Sequence, residues 1–350
     1  MTDAEPVPGA DYSIGIPGNL DVRHRLDRLA LDGHLHPCLL FEGAGGLGKA
    51  AAARWLAMRL NCEAWPDGGP CRTCWSCRQI DKGTHPDVIQ VGLDPQRKTP
   101  IISVSQAREL LGQLAMRPYN ARSRVVIIDP ADALTVESGN ALLKTLEEPP
   151  PDTRFVLVTS RPRALLITIL SRCQRVRFGA VDPKTVAAWL EERGVDDALW
   201  LAQLAEGCPR AALDLVDGEA AAWKDARDAI LHSIGGGLDD VFSYAEALTK
   251  GDRGQWRIKV DRSLDAVERL LQDAWRLRTR GEPARYNPDR EAVVEAWSHA
   301  LDAQGLCRMT EALDLARSSL SANVSGRLVL EALVARMATE LGAARTAGRR

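Results

Sequence analysis

The chain has 350 residues, 45% of them hydrophobic and 26% charged, with a net charge of −2 at pH 7. That balance suits a soluble chain of two or three domains with sizeable cores, and it excludes a disordered polyelectrolyte or a protein that coats nucleic acid by bulk positive charge. Any nucleic-acid contact must come from a local patch, and no apolar run approaches the roughly 18 residues needed to cross a membrane.

The first ten residues carry Asp3 and Glu5 and lack an apolar centre, so they do not read as a signal peptide, and a cytoplasmic protein is expected. Residues 1–19 form a lead-in containing Pro and Gly. Residues 19–32 place Leu20, Leu26, Leu29 and Ala30 at helical spacing. The run Cys38-Leu39-Leu40-Phe41 reads as a short buried strand. It is followed by Gly43-Ala44-Gly45-Gly46-Leu47-Gly48-Lys49-Ala50 and then by an Ala-rich helix to Leu60. Strand, Gly-rich turn and helix fit the P-loop form G-x4-G-K-[ST] except at its last position.

The physical parts of that motif are separable. Gly43, Gly45, Gly46 and Gly48 permit positive φ and bring backbone close to a phosphate. Loop N–H groups and the helix N-terminus favour an anion, and Lys49 supplies a point charge to the terminal phosphates. The last position ordinarily gives a hydroxyl to Mg²⁺. Ala50 has none. ATP or ADP is therefore a candidate ligand and Mg²⁺ is not expected; the alternative is a relic loop that only packs.

Eight cysteines are present, and Cys62, Cys71, Cys74 and Cys77 fall in one segment, spaced Cys-x8-Cys-x2-Cys-x2-Cys. In a reducing compartment this reads as a closed four-thiolate structural zinc site. The alternatives are chance free thiols and a redox pair, and His85 reads as a loop residue rather than a ligand.

Residues 87–91 predict a second strand, 92–100 a loop, and 105–116 a helix capped by Ser103 or Ser105 and stopped by Pro118. Val125-Val126-Ile127-Ile128 predicts a buried strand ending on Asp129-Pro130. Residues 138–148 predict a helix stopped by Pro149-Pro150-Pro151, and Phe155-Val156-Leu157-Val158 a strand ending on Thr159-Ser160. A helix-like segment then leads to Ser171-Arg172-Cys173. Strands and helices that alternate in this way predict a parallel α/β sheet, with ligands at the strands' carboxyl ends. Beyond Phe178 only helices are expected, among them 182–192, 196–205, 263–277, 290–303, 306–318 and 326–343, with a break at Gly235-Gly236-Gly237 and a basic tail over 345–350.

In a hydrolysing P-loop ATPase the second strand ends in an acidic pair, one member near Mg²⁺ and the other polarising water. Here the second member is Pro130, which cannot act as a base, so the parts on both sides of the metal are altered together.

Asn140-Ala141-Leu142-Leu143-Lys144-Thr145-Leu146-Glu147-Glu148-Pro149-Pro150, Ser171-Arg172-Cys173 and the inserted cysteine module resemble the AAA+ subunits of the bacterial DNA polymerase III clamp loader. The resemblance also covers 201–215 and 322–331. It implies an AAA+ P-loop domain over 1–179 with a zinc module at 61–80, a helical lid over 180–236 and a helical collar over 237–345. Ala50 and Asp129-Pro130 resemble the delta prime branch of the family, which implies a non-hydrolysing subunit without ATPase activity of its own. The resemblance further implies tau/gamma motor and delta subunits as partners in a pentameric ring. The sliding clamp and primer-template DNA would be reached through that complex. Arg172 would be an arginine finger acting in trans, Arg210 the lid arginine and Thr159 the first sensor. Read from the residues alone, Arg172 is equally a surface ion-pair partner and Thr159 a strand-end cap. Two other readings stand beside this one: an ATP-hydrolysing tau/gamma-type motor, and a zinc-dependent interaction scaffold outside replication.

Overall fold

The computed structural model describes residues 15–97, 99–322 and 324–347. Most of the expected lead-in, 1–14, and the end of the basic tail, 348–350, lie outside the described residues. The chain divides into two compact units, Met1–Ala212 and Leu213–Arg350, and the stretch 180–236 falls partly in each.

The first unit is built on one parallel five-stranded sheet: β1 (Cys38–Glu42), β2 (Val88–Val91), β3 (Arg124–Ile128), β4 (Thr153–Thr159) and β5 (Gln174–Arg177), in the order β2-β3-β4-β1-β5. The central strands are continuous apolar runs because both faces are covered. Alternate side chains supply the two faces. Leu39, Phe41, Val125, Ile127, Val156 and Val158 pack against α1 (Leu20–Leu31), α2 (Lys49–Asn61) and α3 (Trp75–Asp81). Cys38, Leu40, Val126, Ile128, Phe155 and Leu157 pack against α4 (Val104–Leu114), α5 (Val136–Glu147) and α6 (Ile167–Leu170). The helix starts follow the local chemistry. Ser103 and Gln106 form a capping box at α4, and the Thr135 hydroxyl accepts from the Ser138 N–H at α5.

The strand β5 is absent from the sequence reading. Only Val176 of Gln174-Arg175-Val176-Arg177 is buried, so no apolar run announces it. Pairing with β1 makes it the sheet edge, where Arg175 and Arg177 both hold the buried Glu42 carboxylate, at 2.6 and 3.0 Å. The helices α7 (Pro183–Glu191), α8 (Ala198–Leu204) and α9 (Pro209–Asp214) follow.

The second unit is helical: α10 (Ala220–Gly235), α11 (Leu238–Thr249), α12 (Arg253–Arg280), α13 (Glu291–Ala300), α14 (Ala303–Ser321) and α15 (Gly326–Ala347). Its core is lined by Leu264, Leu270, Trp297, Leu313, Leu330 and Met337. The helix α12 extends well beyond the expected 263–277 because tertiary packing, with Val260 fully buried, carries its more polar first turns. Gly281, in left-handed conformation, ends it. Among the described residues no helix is long and apolar enough to cross a membrane.

Candidate nucleotide cleft and metal centre

Parallel pairing puts the ends of β1, β3 and β4 at one edge. Glu42 sits opposite Thr159, and Ile128 opposite Leu157, so the loop after β1 emerges beside both Asp129 and Thr159. A cleft of about 290 Å³ opens there, lined by Gly45, Gly46, Gly48, Lys49, Arg54, Asp129, Thr159 and Arg210, with Ala50 and Pro130 on its wall. Of the predicted residues, Gly43 stands just behind the cleft. Its φ is +147°, and a Cβ there would lie 2.3 Å from the Phe178 carbonyl oxygen. Gly46, at φ +78°, is crowded in turn by Arg210 and Cys208, which close over the loop.

The cleft is electrostatically suited to an anion. Lys49 is almost fully buried, and its ammonium donates to the carbonyls of Gly43, at 2.7 Å, and Ala44. Burial lowers its pKa, opposed by the nearby Asp129 carboxylate. Burial raises the Asp129 pKa, opposed by Lys49 and Arg54. Asp132 does not line the cleft. It accepts from the Thr159 hydroxyl at 2.7 Å and from the Arg161 guanidinium at 2.8 and 2.9 Å. Burial would raise its pKa, but those donors outweigh it and hold the carboxyl below the usual range. The Thr159 hydroxyl is thus committed to Asp132, while its oxygen also accepts from the Arg161 N–H.

Arg172 is elsewhere. It follows α6 and donates through Nε and Nη2 to the Glu147 carboxylate, at 3.1 and 2.7 Å, and through Nη1 to the Thr168 carbonyl. It is not part of this chain's own cleft wall.

The four predicted zinc ligands converge. Cys62 caps the end of α2, Cys74 caps the start of α3, and Cys77 lies in the first turn of α3. Their sulfurs and that of Cys71 all lie within 4.8 Å of one another. A tetrahedral zinc with Zn–S of ~2.3 Å places its sulfurs about 3.8 Å apart, so a small contraction completes the site. The N–H groups of Cys71, Cys74 and Cys77 point at the sulfurs of Cys62, Cys71 and Cys74, at 3.3, 3.3 and 3.4 Å, which favours thiolates. Gly69, at φ +98°, passes where a Cβ would lie 2.7 Å from the Cys62 sulfur. The donor set fits zinc, and with four protein ligands no coordination position is left for a substrate.

Sequence reading missed three residues. Fully buried Arg59 pairs with Asp27 at 2.9 Å, donates to the carbonyls of Pro66 and Gly68, and stacks on Trp65, bracing the cysteine module against α1. Buried Asp87 accepts from the N–H groups of Tyr119, Asn120 and Ala121. Arg54 lines the cleft. The first two carry no local signal, whereas Arg54 stands four residues after Ala50 and so shares its helix face.

Residues 19–182 match the family profile described as "DNA polymerase III, delta subunit". That segment is therefore similar to DNA polymerase III delta-type and tau/gamma subunits. It is 36% identical over 235 residues to DNA polymerase III subunit tau of Escherichia coli (strain K12), covering 63% of this chain and 35% of that protein. It is 30% identical over 268 residues to subunit tau of Bacillus subtilis (strain 168), covering 73% of this chain and 46% of that protein. The chain therefore spans less than half the length of these curated relatives. A solved structure of a DNA polymerase III gamma subunit-related protein from Thermotoga maritima aligns at 17% identity and a TM-score of 0.42, over 91% of this chain and 99% of that one, a likeness too loose to add to the fold described above.

Proposed function

We propose that this protein is a clamp-loader subunit of DNA polymerase III of the delta prime type, which does not hydrolyse ATP itself and stimulates hydrolysis by a neighbouring motor subunit. The observation that carries this reading is the make-up of the cleft. It keeps the glycines and Lys49 that cradle phosphate, yet its wall has a methyl group at Ala50 and a ring at Pro130. A hydroxyl for Mg²⁺ and a second carboxylate to polarise water are the groups hydrolysis needs at those points. Arg172 would serve the neighbour's nucleotide. Its planar fork can exchange the Glu147 carboxylate, itself more than half exposed at 59%, for phosphate oxygens. The lid and collar domains, the pentameric ring and the motor and delta partners belong to the same proposal, as does a structural zinc at Cys62, Cys71, Cys74 and Cys77.

A second reading, a hydrolysing tau/gamma-type motor, is favoured by the names of the relatives. One experiment separates them. The isolated chain is assayed for ATP hydrolysis, and the loader is then reconstituted with the wild-type chain or Arg172→Ala. The proposal expects no turnover by the isolated chain and an intact complex with Arg172→Ala whose ATPase is at least about tenfold slower, since fingers of this kind contribute on the order of 10³–10⁵ in rate. Turnover by the isolated chain supports the motor, and full activity with Arg172→Ala removes the finger.

A further inference from the structure

We infer that Arg54 takes the place of the divalent ion in the cleft, so that the P-loop binds a nucleoside di- or triphosphate in its metal-free form. This rests on the nucleotide-binding reading of the P-loop and goes beyond it. In a metal-dependent P-loop, Mg²⁺ sits between the hydroxyl that ends the motif, the acid at the end of the second strand and the phosphates, and offsets their negative charge. Here the hydroxyl is replaced by the Ala50 methyl group. The next residue along that face of α2, one helical turn on, is Arg54, and both line the cleft together with Asp129.

Three features support a role for the arginine toward an anion, although it also borders a second cavity beside Arg72 and Asp81. First, its side chain is exposed, unlike Ala53 and Trp55 on either side, which are in the core. Second, among the described residues no hydrogen bond or ion pair engages its guanidinium, whereas Arg161, Arg172, Arg175 and Arg177 are each held by a carboxylate. Third, the cleft sets three basic side chains, Lys49, Arg54 and Arg210, against the single carboxylate of Asp129. A polyphosphate without a metal keeps the charge that Mg²⁺ would otherwise offset, and Lys49 at the N-terminus of α2, Arg54 further along that helix and Arg210 of α9 supply the balance. The guanidinium presents two parallel N–H donors in one fixed plane to two phosphate oxygens, a geometry that the point charge of a lysine does not hold and a methyl group lacks. Mg²⁺ added to such a site meets the Asp129 carboxylate but no hydroxyl, and it weakens the attraction between nucleotide and arginine.

The test is calorimetric titration of the full chain with ADP and ATP, once in excess EDTA and once in excess Mg²⁺, using wild type, Lys49→Ala, Arg54→Ala and Arg54→Lys. The expected result is binding in EDTA at least as tight as in Mg²⁺, abolished by Lys49→Ala. Arg54→Ala should weaken binding in EDTA by about 10- to 100-fold, the worth of a charge-assisted hydrogen-bond pair, with Arg54→Lys in between. Thermal unfolding without nucleotide should be the same for wild type and Arg54→Ala, which separates lost binding from lost fold. Binding by wild type that requires Mg²⁺, or equal affinity of wild type and Arg54→Ala in EDTA, overturns the inference and leaves the nucleotide reading standing. No binding by wild type in either buffer overturns both.

Discussion

Asp87→Asn tests how the first unit is held together. The Asp87 carboxylate is 1% exposed and accepts three backbone N–H bonds, from Tyr119 at 2.9 Å, Asn120 at 2.9 Å and Ala121 at 3.0 Å. It also pairs at 3.5 Å with Arg124, itself 4% exposed, which donates to the Met116 carbonyl at 2.8 Å. This one side chain therefore fixes the turn between α4 and β3. Asparagine with its carbonyl oxygen placed toward Asn120 and Ala121 keeps those two bonds. It then sets its own NH₂ against the Tyr119 N–H. One charge-assisted bond, worth about 1.5–3 kcal/mol, is lost, and a buried donor is orphaned. Arg124 also loses its buried counter-charge, a change that by itself costs about 3–5 kcal/mol when a buried pair is broken. These costs overlap, so a total of about 4 kcal/mol is expected. For a unit of this size that corresponds to a fall in Tm of about 8–16 °C. Differential scanning calorimetry of the full chain reads it directly. The double variant Asp87→Asn, Arg124→Met should recover part of the loss because no charge is then stranded. A fall of under about 3 °C, or a double variant as unstable as the sum of the single ones, would refute the reasoning. The effect also has a pH signature. Burial would raise the Asp87 pKa, but the three N–H donors and Arg124 hold it below the usual carboxylate range. Its contribution is therefore fully present above the unfolded-state pKa and is lost as pH falls through the lower folded-state value. The gap between wild type and Asp87→Asn should close in that acid window and stay constant near neutrality.

The other predictions concern the two sites. Metal analysis of the purified chain should find one zinc per molecule; Cys77→Ser should lose it and Cys307→Ser should keep it, while a metal-free wild type with four freely titratable thiols would remove the zinc assignment. Gly46→Ala puts a Cβ 2.6 Å from the Arg210 Cβ at a φ of +78°. The backbone term is about 1–2 kcal/mol, and the crowding adds to it, so a lower Tm and loss of nucleotide binding are expected, with unchanged binding counting against the described closure. Glu147→Ala releases a half-exposed ion pair worth at most about 1 kcal/mol. It should leave the chain's Tm within about 2 °C of wild type and, in the reconstituted loader, preserve ATPase activity, because the arginine itself remains.

The sequence by itself determined the architecture around the site. Val125-Val126-Ile127-Ile128 and Phe155-Val156-Leu157-Val158, short β-branched or aromatic runs alternating with helical segments, read as buried parallel strands, and the P-loop glycines and the cysteine spacing are local signals. It also determined the changed chemistry, since Ala50 and Pro130 are visible as letters. The edge strand β5 was illegible because its stability comes from pairing with β1 and from Glu42, not from an apolar run of its own. Asp87 and Arg59 were illegible for a related reason: their partners lie across folded loops, and a lone Asp or Arg in sequence looks solvated. Only the tertiary structure decided that Thr159 gives its hydroxyl to Asp132, that Arg172 stands apart from this chain's own cleft, and that Arg54 stands inside it. Local propensity and pattern act over a few residues and fix elements. The direction in which a charged side chain points depends on which strand ends meet at one sheet edge, and that is settled by pairing between residues far apart in the chain.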